Sequence, residues 1–159
     1  MDINREMICT ERIAFEKGIA NKAQALSYLA QLAETTGVVK DKEQILRDLT
    51  ERESEFSTGF GDRFAIPHAK SDAVAFPALF VVRLDQAVEW EAIDDQPVEM
   101  LIGIMVPKES AGNLHIQILS TLSGNLIEES FKSALMNAET KTEIYTIMQN
   151  ALENEEETK

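Results

Sequence analysis

Two runs, Ala78 to Leu84 and Val98 to Val106, are apolar at every position except Arg83 and Glu99. A strand with one wet face alternates polar and apolar side chains, so these runs predict strands covered on both faces. Covering a sheet that way takes helices, and the rest of the chain supplies them. Asn21 is placed as an N-cap for a helix whose buried stripe is Leu26, Leu29, Ala30 and Ala33, and Gly37 is placed to stop it. Asp41 with Gln44 has the form of a capping box for a second helix, which buries Ile45, Leu46 and Leu49 and runs to about Ser54. Beyond the second apolar run, Asn113 is a candidate N-cap for a helix with His115, Ile118, Leu119, Leu122 and Leu126 on one face. A weaker helix covers about Glu128 to Asn137. Thr140 with Glu143 makes another capping box for a last helix carrying Ile144, Ile147, Met148 and Ala151. The layering is α/β.

A chain of 159 residues is the usual size of one domain. Residues 1–159 are expected to form a single domain with a frayed acidic tail over about 154–159, because there is no internal repeat and no long linker. The net charge of −13 repels phosphate backbones and anionic surfaces, so no nucleic-acid partner is expected. No run approaches the roughly 20 apolar residues that span a bilayer, and the start, MDINREMICTE, lacks the order of a signal peptide. The expected location is cytoplasmic. Cys9 has no partner for an intrachain disulfide, and one thiol with two histidines makes a poor zinc site; no metal or other cofactor is expected.

Imidazole chemistry is restricted to His68 and His115, the two histidines in the chain. Residues 57–72, STGFGDRFAIPHAKSD, read as a glycine turn entering a strand, with Pro67 holding Ile66 extended. The turn residues Thr58, Gly59 and Gly61 can present backbone amides as an anion-binding nest, although such pairs are often only turns. His68 at a strand end is either a hydrogen-bonded structural group or a catalyst. His115 is either a satisfied core histidine or a group in a helix's first turn, where the partial positive charge favours neutral imidazole and welcomes phosphate oxygens. Arg52, 16 residues ahead of His68, either pairs with Glu51, Glu53 or Glu55 or offers its planar fork to two phosphoryl oxygens. The chain lacks a dinucleotide GxGxxG between strand and helix, a Walker loop and a GxSxG elbow.

The string TGFGDRFAIPHAK, placed after the arginine of LTERESEF, resembles the active-site segment of the fructose/mannitol type of enzyme IIA of the bacterial sugar phosphotransferase system. The early NKAQALSYLAQLAE helix, the two apolar strands and the NLHIQILSTLSGNL helix follow in the order of that family. The resemblance implies a mixed β-sheet flanked by helices on both faces. It implies that His68 carries a phosphoryl group, that His115 and Arg52 are the second histidine and the active-site arginine, and that Thr58, Gly59 and Gly61 are the family's turn residues. It further implies the histidine phosphocarrier protein HPr as donor, a cysteine of enzyme IIB on a separate chain as acceptor, and an indirect link to the membrane component IIC. Arg63, close to this segment, stands where many relatives carry a small or neutral residue, and its effect on the site is left open. A nitrogen-type regulatory IIA is the alternative reading, and a pure binding module is a third. Selectivity among fructose, mannitol and related sugars or polyols lies in the membrane component, beyond this chain.

Overall fold

A computed structural model describes residues 7–91, 94–109 and 114–157, with side chains through residue 152. The architecture is a mixed six-stranded sheet with helices on both faces. The elements are β1 (Ile13–Glu16), α1 (Lys22–Thr35), α2 (Lys42–Glu55), β2 (Gly59–Gly61), β3 (Phe64–Ala65), β4 (His68–Ser71), β5 (Ala78–Val88), β6 (Val98–Pro107), α3 (Leu114–Leu126), α4 (Glu129–Asn137) and α5 (Lys141–Glu157). The sheet order is β1-β5-β6-β3-β2, with β4 also on β6. β5 and β6 pair antiparallel, whereas β1 joins β5 in parallel and β3 and β4 join β6 in parallel.

The two apolar runs form β5 and β6, and their alternate side chains enter two different cores. Leu79, Val81, Met100, Ile102, Ile104 and Val106 pack with residues of α3, α4 and α5. Ala78, Phe80, Val82, Leu101 and Met105 pack against α1 and α2 on the opposite face. Each fully buried Leu, Ile or Val contributes about 1.5–3 kcal/mol through the water it sheds. Gly103 of β6 lies on the α1 side, where a Cβ would come within 3.2 Å of Leu29 Cδ2. Its lack of a side chain lets α1 approach the sheet.

Along β6, Phe64 pairs with Met100, Ala65 with Leu101, His68 with Ile104 and Ala69 with Met105. β3 and β4 are therefore one strand in constant register, broken only at Ile66 and Pro67. Proline has no N–H to give to a ladder, which explains the break at that place. Its carbonyl still accepts from the Ile104 N–H at 2.9 Å, so the register survives.

The caps account for the helix boundaries. Asn21 accepts from Gln24 N–H at 2.9 Å. Gly37, at φ +81°, closes α1 with the paired bonds of a Schellman motif: Val38 N–H to Ala33 O at 2.9 Å and Gly37 N–H to Glu34 O at 3.1 Å. Thr140 and Glu143 exchange bonds in both directions. At α2 the expected box is only half formed. Asp41 accepts from the amides of Glu43 and Gln44, but the Gln44 side chain turns forward to Asp48. Asn113 lies outside the described residues. Helix α5 runs on to Glu157. Glutamate is a good helix former and no Gly or Pro interrupts it. Among the described residues no helix is long and apolar enough to cross a membrane.

Two glycine substitutions should act in opposite directions. Gly37→Ala forces a side chain into positive φ and should cost about 1 kcal/mol. Gly124→Ala, within α3 and facing open space, should add up to about 1 kcal/mol. Urea midpoints moving the same way for both would contradict these assignments.

Candidate functional site

An open cleft brings three of the singled-out residues together. Asp48, Glu51, Arg52 and Glu55 line it from α2, His68 and Lys70 from β4, Lys108 from the end of β6, and His115 from the first turn of α3. α2 belongs to one helical layer and α3 to the other, so the cleft lies where the two layers meet beside the interrupted strand.

His68 is held at both ring nitrogens. Its Nδ1 is 2.8 Å from the Ile66 carbonyl, which can only accept, so Nδ1 carries the proton. Nε2 is then unprotonated and accepts from Arg52 Nε–H at 3.2 Å. The strand break sets this up, because the carbonyl just before Pro67 leaves the ladder and turns to the ring two residues later. The ring is half-buried, not sealed in the core.

Burial is the largest influence on the His68 pKa and lowers it. The Ile66 carbonyl opposes this, the Arg52 guanidinium and the His115 ring lower it further, and Glu53 raises it; the result is below the usual 6.5. His115 is also lowered, first by burial and then by Lys70. Both rings are therefore neutral at neutral pH, and His68 keeps a lone pair on Nε2.

Thr58, Gly59 and Gly61 do not line this cleft. The Thr58 amide donates to Glu53 Oε2 at 2.8 Å and its hydroxyl donates to Glu53 Oε1. The Gly59 amide donates to Ser57 Oγ at 3.2 Å. The Thr58 and Gly59 amides are thus engaged by the protein's own oxygens. Gly61 adopts φ +111° where β2 turns toward β3. Arg63 also lies elsewhere. It pairs with Glu99 at 3.2 Å and lines a separate hollow with Asp62 and Lys132.

Sequence reasoning missed Glu53 in any role other than a partner for Arg52. Its carboxylate is 7% exposed and also accepts from Trp90 Nε1 at 3.1 Å and pairs with Lys22 Nζ at 3.1 Å. Burial pushes its pKa up, but the Thr58 hydroxyl and amide and the Lys22 ammonium outweigh that and hold it below the usual 4.5. Lys70 was within reach of the sequence, because a residue two beyond His68 on a strand shares its face. Lys108 and Asp48 carried no such signal. Among the described residues, no group of three or more His, Cys, Asp or Glu is arranged to hold a metal ion.

Residues 6–151 match the family described as "Phosphoenolpyruvate-dependent sugar phosphotransferase system, EIIA 2". The chain is 38% identical over 143 residues to the PTS system fructose-specific EIIA component of Haloferax volcanii, covering 90% of this chain and 92% of that one. It is 31% identical to Multiphosphoryl transfer protein 2 of Escherichia coli, covering 92% of this chain but only 17% of that protein. Nitrogen regulatory protein IIA-Ntr of Neisseria meningitidis superposes with a TM-score of 0.82 at 26% identity, covering 89% of this chain and 96% of that one. The Escherichia coli complex of mannitol enzyme IIA with phosphorylated enzyme IIB gives a TM-score of 0.75 at 21% identity, over 90% and 97%, a likeness of fold.

The site electrostatics set a pH dependence. Both imidazoles should titrate below 6.5 by NMR, and Arg52→Ala should move the His68 midpoint upward by removing a positive neighbour. A folded-state pKa below the unfolded value means that the unfolded chain binds more protons, so stability is full above about pH 6.5 and falls on acidification through the folded pKa. A His68 midpoint at or above 6.5, or one indifferent to Arg52→Ala, would contradict the assigned tautomer and contact.

Proposed function

We propose a phosphoryl-carrier role for this chain, which belongs to the EIIA 2 family of the phosphoenolpyruvate-dependent sugar phosphotransferase system. The carrier atom is His68 Nε2. The donor is phosphorylated HPr, and the acceptor is a cysteine of enzyme IIB on a separate chain, which serves a membrane component IIC that this chain does not itself contact. Residues 1–159 act as one domain located in the cytoplasm.

The observation that carries the reading is the pair of bonds at His68, Nδ1–H to the Ile66 carbonyl and Arg52 Nε–H to Nε2. In the accepting step the Nε2 lone pair forms a bond to phosphorus as the donor's P–N bond breaks, and the donor imidazole keeps that electron pair. Nδ1–H remains on the Ile66 carbonyl, so the positive charge that develops on the ring is stabilised without a separate base. In the onward step the P–N bond breaks toward Nε2 while a thiolate forms the P–S bond.

In the resting site the guanidinium caps the very lone pair that must attack. Arg52 therefore exchanges one acceptor for another, Nε2 for an equatorial phosphoryl oxygen, as the group arrives. Charge in a loose transition state lies on those oxygens, where a planar fork serves it best. His115 supplies a second polar contact from the opposite wall, and Lys70 adds positive charge. Thr58, Gly59 and Gly61 assist by shaping the turn beside Arg52. Because the same ring gains and loses the group, tight binding of the phosphorylated state would slow release, and the cleft is accordingly open.

A regulatory role is the second reading, favoured by the likeness to the IIA-Ntr protein of Neisseria meningitidis at 26% identity. Phosphoryl uptake is common to both roles, so the onward step separates them. Transfer from the phosphorylated chain to an isolated IIB supports transport, and its absence with every IIB tried supports regulation.

Incubation with phosphorylated HPr followed by intact-mass measurement at neutral pH should show one added phosphoryl group. His68→Ala should abolish it. Arg52→Ala should slow uptake by about 100-fold or more in stopped flow, with Arg52→Lys recovering little because a point charge does not replace the fork. His115→Ala should slow transfer with the fold intact. Undiminished labelling of His68→Ala would rule out the assignment.

A further inference from the structure

Arg52 is a long side chain in the last turn of a helix, and holding it in one geometry opposes about 2 kcal/mol of rotamer entropy. One bond to His68 does not fix its orientation. The second anchor is the carbonyl of Phe56, which accepts from Arg52 Nη1 at 2.9 Å. Phe56 is the residue at which the chain leaves α2, and its ring is 77% exposed, so its own side chain does not hold that peptide in place. The holding comes from the next two residues. The Ser57 hydroxyl donates to the Glu91 carbonyl, and both the amide and the hydroxyl of Thr58 donate to Glu53.

We propose that Glu53 is a positioning residue for phosphoryl transfer: by clamping Thr58 it fixes the Phe56 carbonyl, which aims the Arg52 guanidinium at His68 Nε2. The threonine of the glycine turn then serves the arginine and not the phosphate. Its consequence for transfer rests on the carrier reading above, while the effect on the Arg52–His68 contact does not. Glu53 suits this task because an ionised carboxylate has about four acceptor positions. Oε1 accepts from the Thr58 hydroxyl, and Oε2 takes the Thr58 amide together with Trp90 Nε1 and Lys22 Nζ, which hold the carboxylate in place. Lys22 stands over the Trp90 ring at 5.3 Å, which ties these two holding groups to each other. A glutamine is isosteric but replaces one oxygen with an NH₂ group and gives up the charge that pairs with Lys22 Nζ. The site therefore needs the charge and not merely the volume.

The test compares Glu53→Gln, Thr58→Val and Gly37→Ala with wild type in three measurements: single-turnover transfer from phosphorylated HPr across donor concentrations, 15N shifts of the His68 imidazole, and urea stability. Glu53→Gln and Thr58→Val should lower the rate at saturating donor by about tenfold or more with the half-saturating concentration unchanged, because misplacing a catalytic group costs rate and not docking. In both, the Nε2 shift should move toward that of a free neutral imidazole, reporting the lost Arg52 bond. Gly37→Ala strains the end of α1, away from Glu53 and the cleft, so it should lower stability while preserving the rate and the shift. The proposal is overturned if Glu53→Gln and Thr58→Val keep the wild-type rate and Nε2 shift, or if Gly37→Ala loses rate in the same proportion to stability. Should Glu53→Gln fail to fold, Thr58→Val decides the question. Failure of the wild type to take up phosphoryl would count against the carrier reading instead, and the 15N comparison would still decide for or against Glu53.

Discussion

The pairing of residues 64–71 with β6 is the constraint on which the rest of the site depends. β6 is buried along nearly its whole length and lies between β5 on one side and the β3–β4 strand on the other. Its place is therefore set by both cores at once, and a strand paired to it in constant register has little freedom to slide. The break at Ile66 and Pro67 interrupts that strand without shifting it. One carbonyl leaves the ladder, and the histidine ring two residues on takes it as a partner. A proline that cannot donate to a sheet thus produces an acceptor that selects the tautomer of His68.

That tautomer matters because the two faces of the imidazole have opposite tasks. Nδ1 keeps its proton and Nε2 keeps its lone pair. Burial and nearby positive charge both disfavour the imidazolium, which leaves the ring ready to act as a nucleophile at neutral pH. The same positive charge would trap a doubly negative phosphoryl group if the cleft were closed. Carboxylates of Asp48, Glu51 and Glu55 on the α2 wall and open access to water weaken that attraction. The arrangement suits a group that must be accepted and released repeatedly.

Much of the fold was legible in local pattern. The two apolar runs read as doubly covered strands because period and composition leave no other use for them, and the caps at Asn21, Gly37 and Thr140 lie where the residue types place them. The capping box at Asp41 reads less well, because the Gln44 side chain takes Asp48 as its acceptor. Arg63 was expected near the site on sequence proximity alone, yet the turn at Asp62 and Arg63, both at positive φ, sends it toward Glu99.

The candidate site divides along the same line. The sequence by itself determined that any imidazole chemistry uses His68 and His115, that Arg52 ends a helix and that a glycine turn leads into a proline-broken strand, since each follows from residue identity and near neighbours. Only the tertiary structure decided that His68, His115 and Arg52 share one cleft, that Thr58 is spent on Glu53 and that Trp90 and Lys22 hold the same carboxylate. Those contacts join positions far apart in the chain, and a donor's choice among acceptors depends on distance and burial, which no single stretch of sequence encodes.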